Sequence, residues 1–301
     1  MCIRDSAVAA RGNRRHRPIP SAEAEALKTI PLIRTIPAYV FITFVVVLML
    51  MPFVWVISGS FKTQSEFISN PGSWFPITFT FDNYIKLFTE KNFGTFFVNS
   101  AVVSIIAVSV NMLGSAMAGY SLAKLEFRGR NIVFVCVIAA MAIPYVAVFV
   151  PQFLIVVQLG LVNTLVGIAL PLLVQPLCVF VMRQFAYSVP TELIEAARVD
   201  GAGEYRIFFR VFLPLAGPAL ATIGILSFLA TWNSFLWPLI VAQSQDTYTL
   251  PVGLASASQA SNTTDYGVLL AGSMFVLLPV LVLFIFLQRY FIQGVATAGL
   301  K

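Results

Sequence analysis

Pro190-Thr191-Glu192-Leu193-Ile194-Glu195-Ala196-Ala197-Arg198-Val199-Asp200-Gly201-Ala202-Gly203-Glu204-Tyr205-Arg206-Ile207-Phe208-Phe209-Arg210-Val211-Phe212-Leu213-Pro214 is the segment around which the chain is organised. Charged side chains crowd it. Long uncharged runs stand on both sides, residues 131–182 before it and 211–245 after it. A charged island between stretches able to cross a bilayer must sit in water on one side. Pro190 and Glu192 suit a first helical turn, where a missing N–H costs nothing and a carboxylate meets the positive end of the dipole. Leu193, Ile194 and Ala197 form one stripe, with Glu192, Glu195 and Arg198 around it. Gly201 and Gly203 stop that helix, because glycine accepts the left-handed turn of a C-terminus. A second turn starts near Glu204. By itself this pattern fits a solvated amphipathic loop lying on headgroups and a surface docking into a partner equally well.

The whole chain is 58% hydrophobic and 11% charged, with a mean hydropathy of +0.87. A polytopic membrane protein is implied, built as a single membrane domain. The net charge of +6 is spread over several loops, so it is no nucleic-acid patch. Three cysteines are too few for a disulfide framework, and Cys136 and Cys178 read as packing residues inside spans. His16 is the only histidine and lies in a basic tail, which removes histidine-based acid–base chemistry and most metal-site patterns.

Working outward, residues 1–35 read as a disordered basic tail with a short surface helix over 27–34. Its opening Met1-Cys2-Ile3-Arg4-Asp5-Ser6 lacks the apolar core of a signal peptide and is a candidate for a non-native extension. The membrane domain then covers 36–301. Its spans are expected at about 36–60, 95–123, 131–150, 163–183, 216–241 and 267–287. Span 2 is rich in Asn99, Ser100, Ser104, Ser109, Asn111, Gly114, Ser115 and Gly119, which marks it as an interior helix. Pro144, Pro171 and Pro176 predict kinks. The break between spans 3 and 4 is placed between Pro151 and Asn163. Trp232 and Trp237 are expected at an interface, and 243–266 is expected as a polar loop.

Charge fixes the orientation. With both termini inside, sixteen of the nineteen Lys and Arg face the cytoplasm and three face out. The loops at 124–130 and 183–214 are then cytoplasmic, and those at 61–94 and 243–266 external. No ionisable residue falls in the middle of a span, where one costs roughly 2.5–3.5 kcal/mol and is retained for function. No lysine follows a glycine, so the phosphate-binding Gly-Lys-Ser/Thr loop is absent. A transporter with neither an ion relay nor a phosphate loop must be driven by a partner.

Glu195-Ala196-Ala197, then Gly201, Val211 and Leu213-Pro214 at fixed spacing, resembles the EAA loop of the membrane subunits of binding-protein-dependent ATP-binding-cassette importers, with Val211 where isoleucine is usual. The resemblance extends over about 36–301. It includes Tyr120-Ser121-Leu122-Ala123-Lys124-Leu125-Glu126-Phe127-Arg128-Gly129-Arg130, Trp232-Asn233-Ser234-Phe235-Leu236-Trp237-Pro238 and Thr249-Leu250-Pro251-Val252-Gly253-Leu254, which are similar to the carbohydrate branch. Gln288-Arg289-Tyr290-Phe291 and Thr297-Ala298-Gly299 look like the smaller permease subunit of maltose-type systems.

The resemblance implies an all-α membrane protein of the bacterial plasma (inner) membrane. It would have six transmembrane helices, both termini cytoplasmic, and a coupling-helix loop between spans 4 and 5. Leu193, Ile194, Glu195, Ala196, Ala197, Asp200 and Gly201 would form the ATPase-coupling interface. The partners implied are two ABC ATPase subunits, a second related permease, an extracytoplasmic solute-binding protein reached by 243–266, and the lipid bilayer; no nucleic acid is implied. The chain itself would be no enzyme and hold no cofactor, ATP being used by the partners. Import would proceed by alternating access, with spans 3 to 5 rotating. Asn111 and Asn233 are candidates for the sugar path, although an interior asparagine more often bonds a neighbouring helix. The alternatives are a permease of the same superfamily for a polyamine or glycerol phosphate, and a membrane scaffold or channel subunit.

Overall fold

The computed structural model describes residues 32–260 and 263–298, with side chains described over 36–259 and 264–286. The expected tail and its surface helix lie outside the described residues, apart from the last few, where the first helix begins. The chain divides into two units, Met1–Val54 and Trp55–Lys301. In the first, helix α1 (Leu32–Ser60) starts and carries Pro37 without a break. Its apolar side chains are largely exposed, as a lipid-facing helix requires.

The second unit is helical apart from one short antiparallel ladder, Gln259–Ala260 against Thr263–Thr264. After α1 come α2 (Gln64–Ser69), α3 (Asp82–Thr89), α4 (Phe93–Lys124), α5 (Arg130–Ala142), α6 (Tyr145–Gln158), α7 (Leu165–Ala169) and α8 (Pro176–Ser188). The loop segment gives α9 (Thr191–Val199), α10 (Glu204–Ile207), a π-helical turn (Phe208–Phe212) and α11 (Leu213–Leu215). Then follow α12 (Gly217–Trp232), α13 (Leu236–Val241), α14 (Leu250–Ala257) and α15 (Tyr266–Ala298).

α4 is the centre of the unit and packs most extensively on α8 and α12. Its sequence explains why. Ser100, Ser104, Asn111, Ser115 and Gly119 are buried on it, and small residues let neighbouring backbones approach where lipid offers no hydrophobic drive for association. Asn111 ties three segments together. Its Nδ2 donates to Ser227 Oγ (2.5 Å) on α12 and Cys178 Sγ (3.3 Å) on α8. Its Oδ1 accepts from Ser115 Oγ (2.9 Å) and from the Gln175 backbone N–H (3.0 Å).

Among the described residues three helices are long and apolar enough to cross a membrane unbroken: 36–60, Phe93–Lys124 and 266–286. The third and fourth expected spans are bent pairs, and a further bent pair joins 204–215 of the charged segment to α12. α5 and α6 meet at 104°, not as one rod to residue 150, and Pro151 lies inside α6 instead of at a break. The cause is Pro144: the residue before a proline is pushed out of the helical region, and Ile143 has ψ 121°. Gln175 before Pro176 behaves likewise, with ψ 124°, and the segments 165–172 and 176–188 bend by 46°. The freed Gln175 N–H is the one that Asn111 accepts, as backbone at bilayer depth must be satisfied within the protein. The fifth span stops at Trp232 and resumes as α13.

Four further expectations need correction. Residues 243–266 are not simply a polar loop, because α14 buries Leu250, Val252, Leu254 and Ala257. Trp232 and Trp237 are core residues, 2% and 1% exposed, their indole N–H groups donating to Val276 O (2.9 Å) and Ile168 O (3.1 Å). An indole buried this deeply needs such a partner, and each finds a backbone carbonyl. Of the two cysteines, Cys178 is buried and Cys136 is exposed. The segment 61–94 holds a second helix, α2, whose first turn is capped by Thr63 Oγ1 accepting from Glu66 N–H (3.3 Å).

Candidate functional site

The charged segment folds as its residues dictate. α9 starts after Pro190 and ends in a complete Schellman turn. Gly201 adopts φ +78°, its N–H donates to Arg198 O (3.0 Å), and the Ala202 N–H donates to Ala197 O (3.0 Å). A side chain at Gly201 would meet nothing within 4 Å of its Cβ. That glycine is therefore required by backbone conformation and not by crowding inside this chain.

Ile194 is 1% exposed and lies in the cluster that includes Tyr120, Met182, Ile207, Phe212 and Ile223. It holds α9 to the bundle, so the structure moves it from the outer face to the inner one. With 3.6 residues per turn, Glu192, Ala196 and Val199 lie opposite Ile194, flanked by Glu195 on one side and by Leu193 and Asp200 on the other. All six are exposed. Ala197, on the inner side, is half-buried. The outer face thus pairs carboxylates with small or apolar side chains.

Two exposed apolar residues were not singled out in the sequence, Val199 on this face and Tyr205 on α10 beside Met117 and Ser121 of α4. Val199 is 87% exposed and Tyr205 is 79% exposed. Apolar side chains set among the charges of 190–210 were the available signal.

Past the turn, Arg198 Nε donates to Glu204 Oε1 at 2.7 Å, the one ion pair among the described residues. That hydrogen bond holds the Glu204 carboxyl below the usual carboxylate range and raises the Arg198 guanidinium. Before Pro214, which has no N–H to offer the Arg210 carbonyl, the helix widens into the π-helical turn Phe208–Phe212.

The two candidate asparagines are not brought together. Asn111 is fully buried with its amide spent on helix–helix bonds. Asn233 is exposed at the end of α12, and its Nδ2 donates back to Leu229 O at 3.1 Å. Neither lines the cavity of about 490 Å³ between α4, α12 and α15, whose walls include Phe97, Met112, Gly224, Phe228 and Trp232. Among the described residues no three His, Cys, Asp or Glu group as a metal site.

At the opposite end, Asn163 sits at φ 59° and organises the start of 243–266. Its Oδ1 accepts from the Gln243 N–H (2.9 Å), the Ser244 N–H (3.1 Å) and Thr247 Oγ1 (2.6 Å). Asn99 Nδ2 adds bonds to Asp246 O (2.7 Å) and Tyr248 O (2.9 Å). These bonds pin the surface around a single 3-10 turn, Gln245–Thr247.

Comparison with known proteins gives a consistent set. Residues 110–297 match the family described as binding-protein-dependent transport system inner membrane component. The arabinooligosaccharides transport system permease protein of Halalkalibacterium halodurans is 43% identical over 266 residues, 87% of this chain and 94% of that one. The diacetylchitobiose uptake system permease protein of Streptomyces coelicolor is 37% identical over 246 residues, 81% of each chain. A lactose transport system permease protein of Rhizobium radiobacter is 33% identical, over 82% of this chain and 89% of that one. In fold, the chain is similar to a bacterial ABC transporter involved in the import of the acidic polysaccharide alginate, with a TM-score of 0.77 at 24% identity over 86% of this chain and 96% of that chain.

Proposed function

The chain belongs to the family of binding-protein-dependent transport system inner membrane components, and from that membership we propose that it is one permease half of an ATP-driven sugar importer. It resides in the inner membrane, as the family does. The three unbroken helices and three bent pairs are read as six spans with both termini cytoplasmic. The distribution of Lys and Arg supports that orientation. The relatives named for arabino-oligosaccharides, diacetylchitobiose and lactose support a sugar as cargo.

Within this reading two ATPase subunits, a second related permease and an external solute-binding protein complete the machine. The outer face of α9 docks in an ATPase cleft. The observation that carries the reading is this face itself. It leaves Leu193 and Val199 exposed on a helix whose inner side and C-terminal turn are fixed. Covering one such side chain contributes about 1.5–3 kcal/mol, enough to seat a lever. The seated lever then transmits closure of the two ATPases, and the cavity between the permease halves opens outward by alternating access.

The test is reconstitution of the chain with its partner subunits in nanodiscs and liposomes, with ATP, sugar and binding protein. ATP hydrolysis stimulated by the loaded binding protein, together with sugar uptake, is expected. Sugar movement by the purified chain with no nucleotide-consuming partner would overturn the assignment.

A further inference from the structure

We propose that Tyr120 and Lys124 are positioning residues that hold α9 at both ends and make α4 move with it; the proposal rests on the docking role given above to α9. Lys124 Nζ donates to Val189 O at 2.6 Å and to Thr191 Oγ1 at 3.1 Å, gripping the turn that enters α9. One turn back, Tyr120 OH donates to Glu204 Oε2 at 3.1 Å. The other oxygen of that carboxylate accepts from Arg198, in the last turn of α9. Glu204 therefore bridges the far end of α9 to α4. Four residues apart, Tyr120 and Lys124 stack on one face of α4. The Tyr120 ring is further wedged by Phe208 and Phe212 of the π-helical turn, with centroids 5.4 and 4.8 Å away.

Two attachment points on one helix have a mechanical meaning. A body held at one point pivots, whereas a body held at two passes on rotation as well as displacement. α4 is unbroken from Phe93 to Lys124, packs along α8 and α12, and carries Asn111 at bilayer depth. The elements next to α9 in sequence are joined to it less directly. α8 reaches it through the extended Val189–Pro190 link, and α12 is separated by a 79° bend. Those joints are compliant and the side-chain grips on α4 are direct. α4 therefore joins spans 3 to 5 in the moving set and supplies the stiff connection to the middle of the membrane. Folding alone does not explain the arrangement, because an exposed ion pair such as Arg198–Glu204 contributes little to stability.

The experiment uses the full complex in nanodiscs. Spin labels are placed at Pro190→Cys, at the start of α9 and off its docking face, and at Leu113→Cys, both exposed, with the exposed Cys136 replaced by serine. The inter-label distance is measured with and without ATP, and sugar delivered per ATP hydrolysed is measured in liposomes. In the otherwise unaltered chain the distance is expected to stay fixed on ATP binding, because α9 and α4 move as one. In Tyr120→Phe with Lys124→Met it is expected to change with nucleotide, and sugar per ATP to fall on the order of ten-fold, within the usual range of coupling between sites. Lys124→Arg, which can still donate to both acceptors, should restore both readouts. If the double variant does not assemble, Glu204→Gln at the exposed bridge gives the same two readouts. A distance that already changes in the unaltered chain overturns the proposal, as does a double variant with unchanged distance and yield. Lack of ATP-driven import by the unaltered complex would overturn the parent reading as well, and so separates the two failures.

Discussion

Gly119 of α4 lies so close to α8 that a methyl group on it would stand 2.6 Å from Met182 Cγ and 2.8 Å from the Arg183 backbone nitrogen. The backbone nitrogen cannot step aside as a flexible side chain can. Overfilling a packed interior costs about 1–3 kcal/mol. Gly119→Val is therefore expected to lower the thermal midpoint of the purified protein and reduce its yield from membranes. Fluorescence-detected size-exclusion melting checks this; an unchanged midpoint would show that α4 and α8 are not packed this closely.

Asn111→Leu removes four side-chain hydrogen bonds at the meeting of α4, α8 and α12 and strands the Gln175 N–H. Interhelical bonds in membranes average about 0.6 kcal/mol each, so a loss of roughly 1–2 kcal/mol follows. Asn233→Ala breaks only a local bond at an exposed position and should leave stability within about 0.5 kcal/mol. Parallel denaturation of the two variants in detergent measures the difference, and equal losses would contradict the separate roles.

Gly201→Asp should uncouple the transporter without unfolding it. A left-handed residue other than glycine costs about 1–2 kcal/mol, and aspartate is among the more tolerant. A Cβ at this position would meet nothing within 4 Å, so the added carboxylate is accommodated by this chain and acts at the proposed docking surface. Inserted protein should remain near normal while stimulated ATP hydrolysis falls on the order of ten-fold. Full stimulation in this variant would remove the docking role of the turn.

Val199 and Ile77 test orientation, because both are exposed and they lie on loops assigned to opposite sides. A membrane-impermeant maleimide added outside intact cells should label Ile77→Cys and spare Val199→Cys. In inside-out vesicles without the ATPase subunits the pattern should invert. Labelling of Val199→Cys from outside would turn the whole topology over.

The Arg198–Glu204 pair has a defined pH window. The folded-state value for Glu204 lies below its unfolded value, so the stabilising contribution is fully present above the unfolded value of about 4.3 and is lost as pH falls through the folded one. Hydrogen-exchange protection of residues 196–204 should thus be flat from about pH 5 to 8 and drop only in stronger acid. Glu204→Gln should show low protection throughout. A drop near neutrality would point to a different titrating group.

Much of this architecture could be read from the sequence, and the parts that could not share a cause. Hydrophobic length located the long apolar helices, and the small-polar face of span 2 marked the central helix, because both signals are local. Gly201 announced the end of α9 for the same reason. The 104° turn at Ile143–Pro144 was not legible as such: a proline predicts a kink but not its size, which depends on what the freed backbone meets. α14 was hidden because Thr249-Leu250-Pro251-Val252-Gly253-Leu254 buries its apolar side only through tertiary contacts, among them Gly253 against Phe96. Ile194 was assigned outward because a stripe of apolar residues does not say which neighbour it faces. Only the packed cluster around Met182 and Phe212 settled that.

Cys178 lies sealed beside Asn111 and Ser227, where α4, α8 and α12 converge. Its thiol is silent for as long as those helices stay together. Any working stroke that parts them would uncover it for a moment, so the native sequence carries its own stopwatch. The rate at which a membrane-permeant alkylating agent modifies Cys178 during turnover would count openings of the bundle core without any engineered probe.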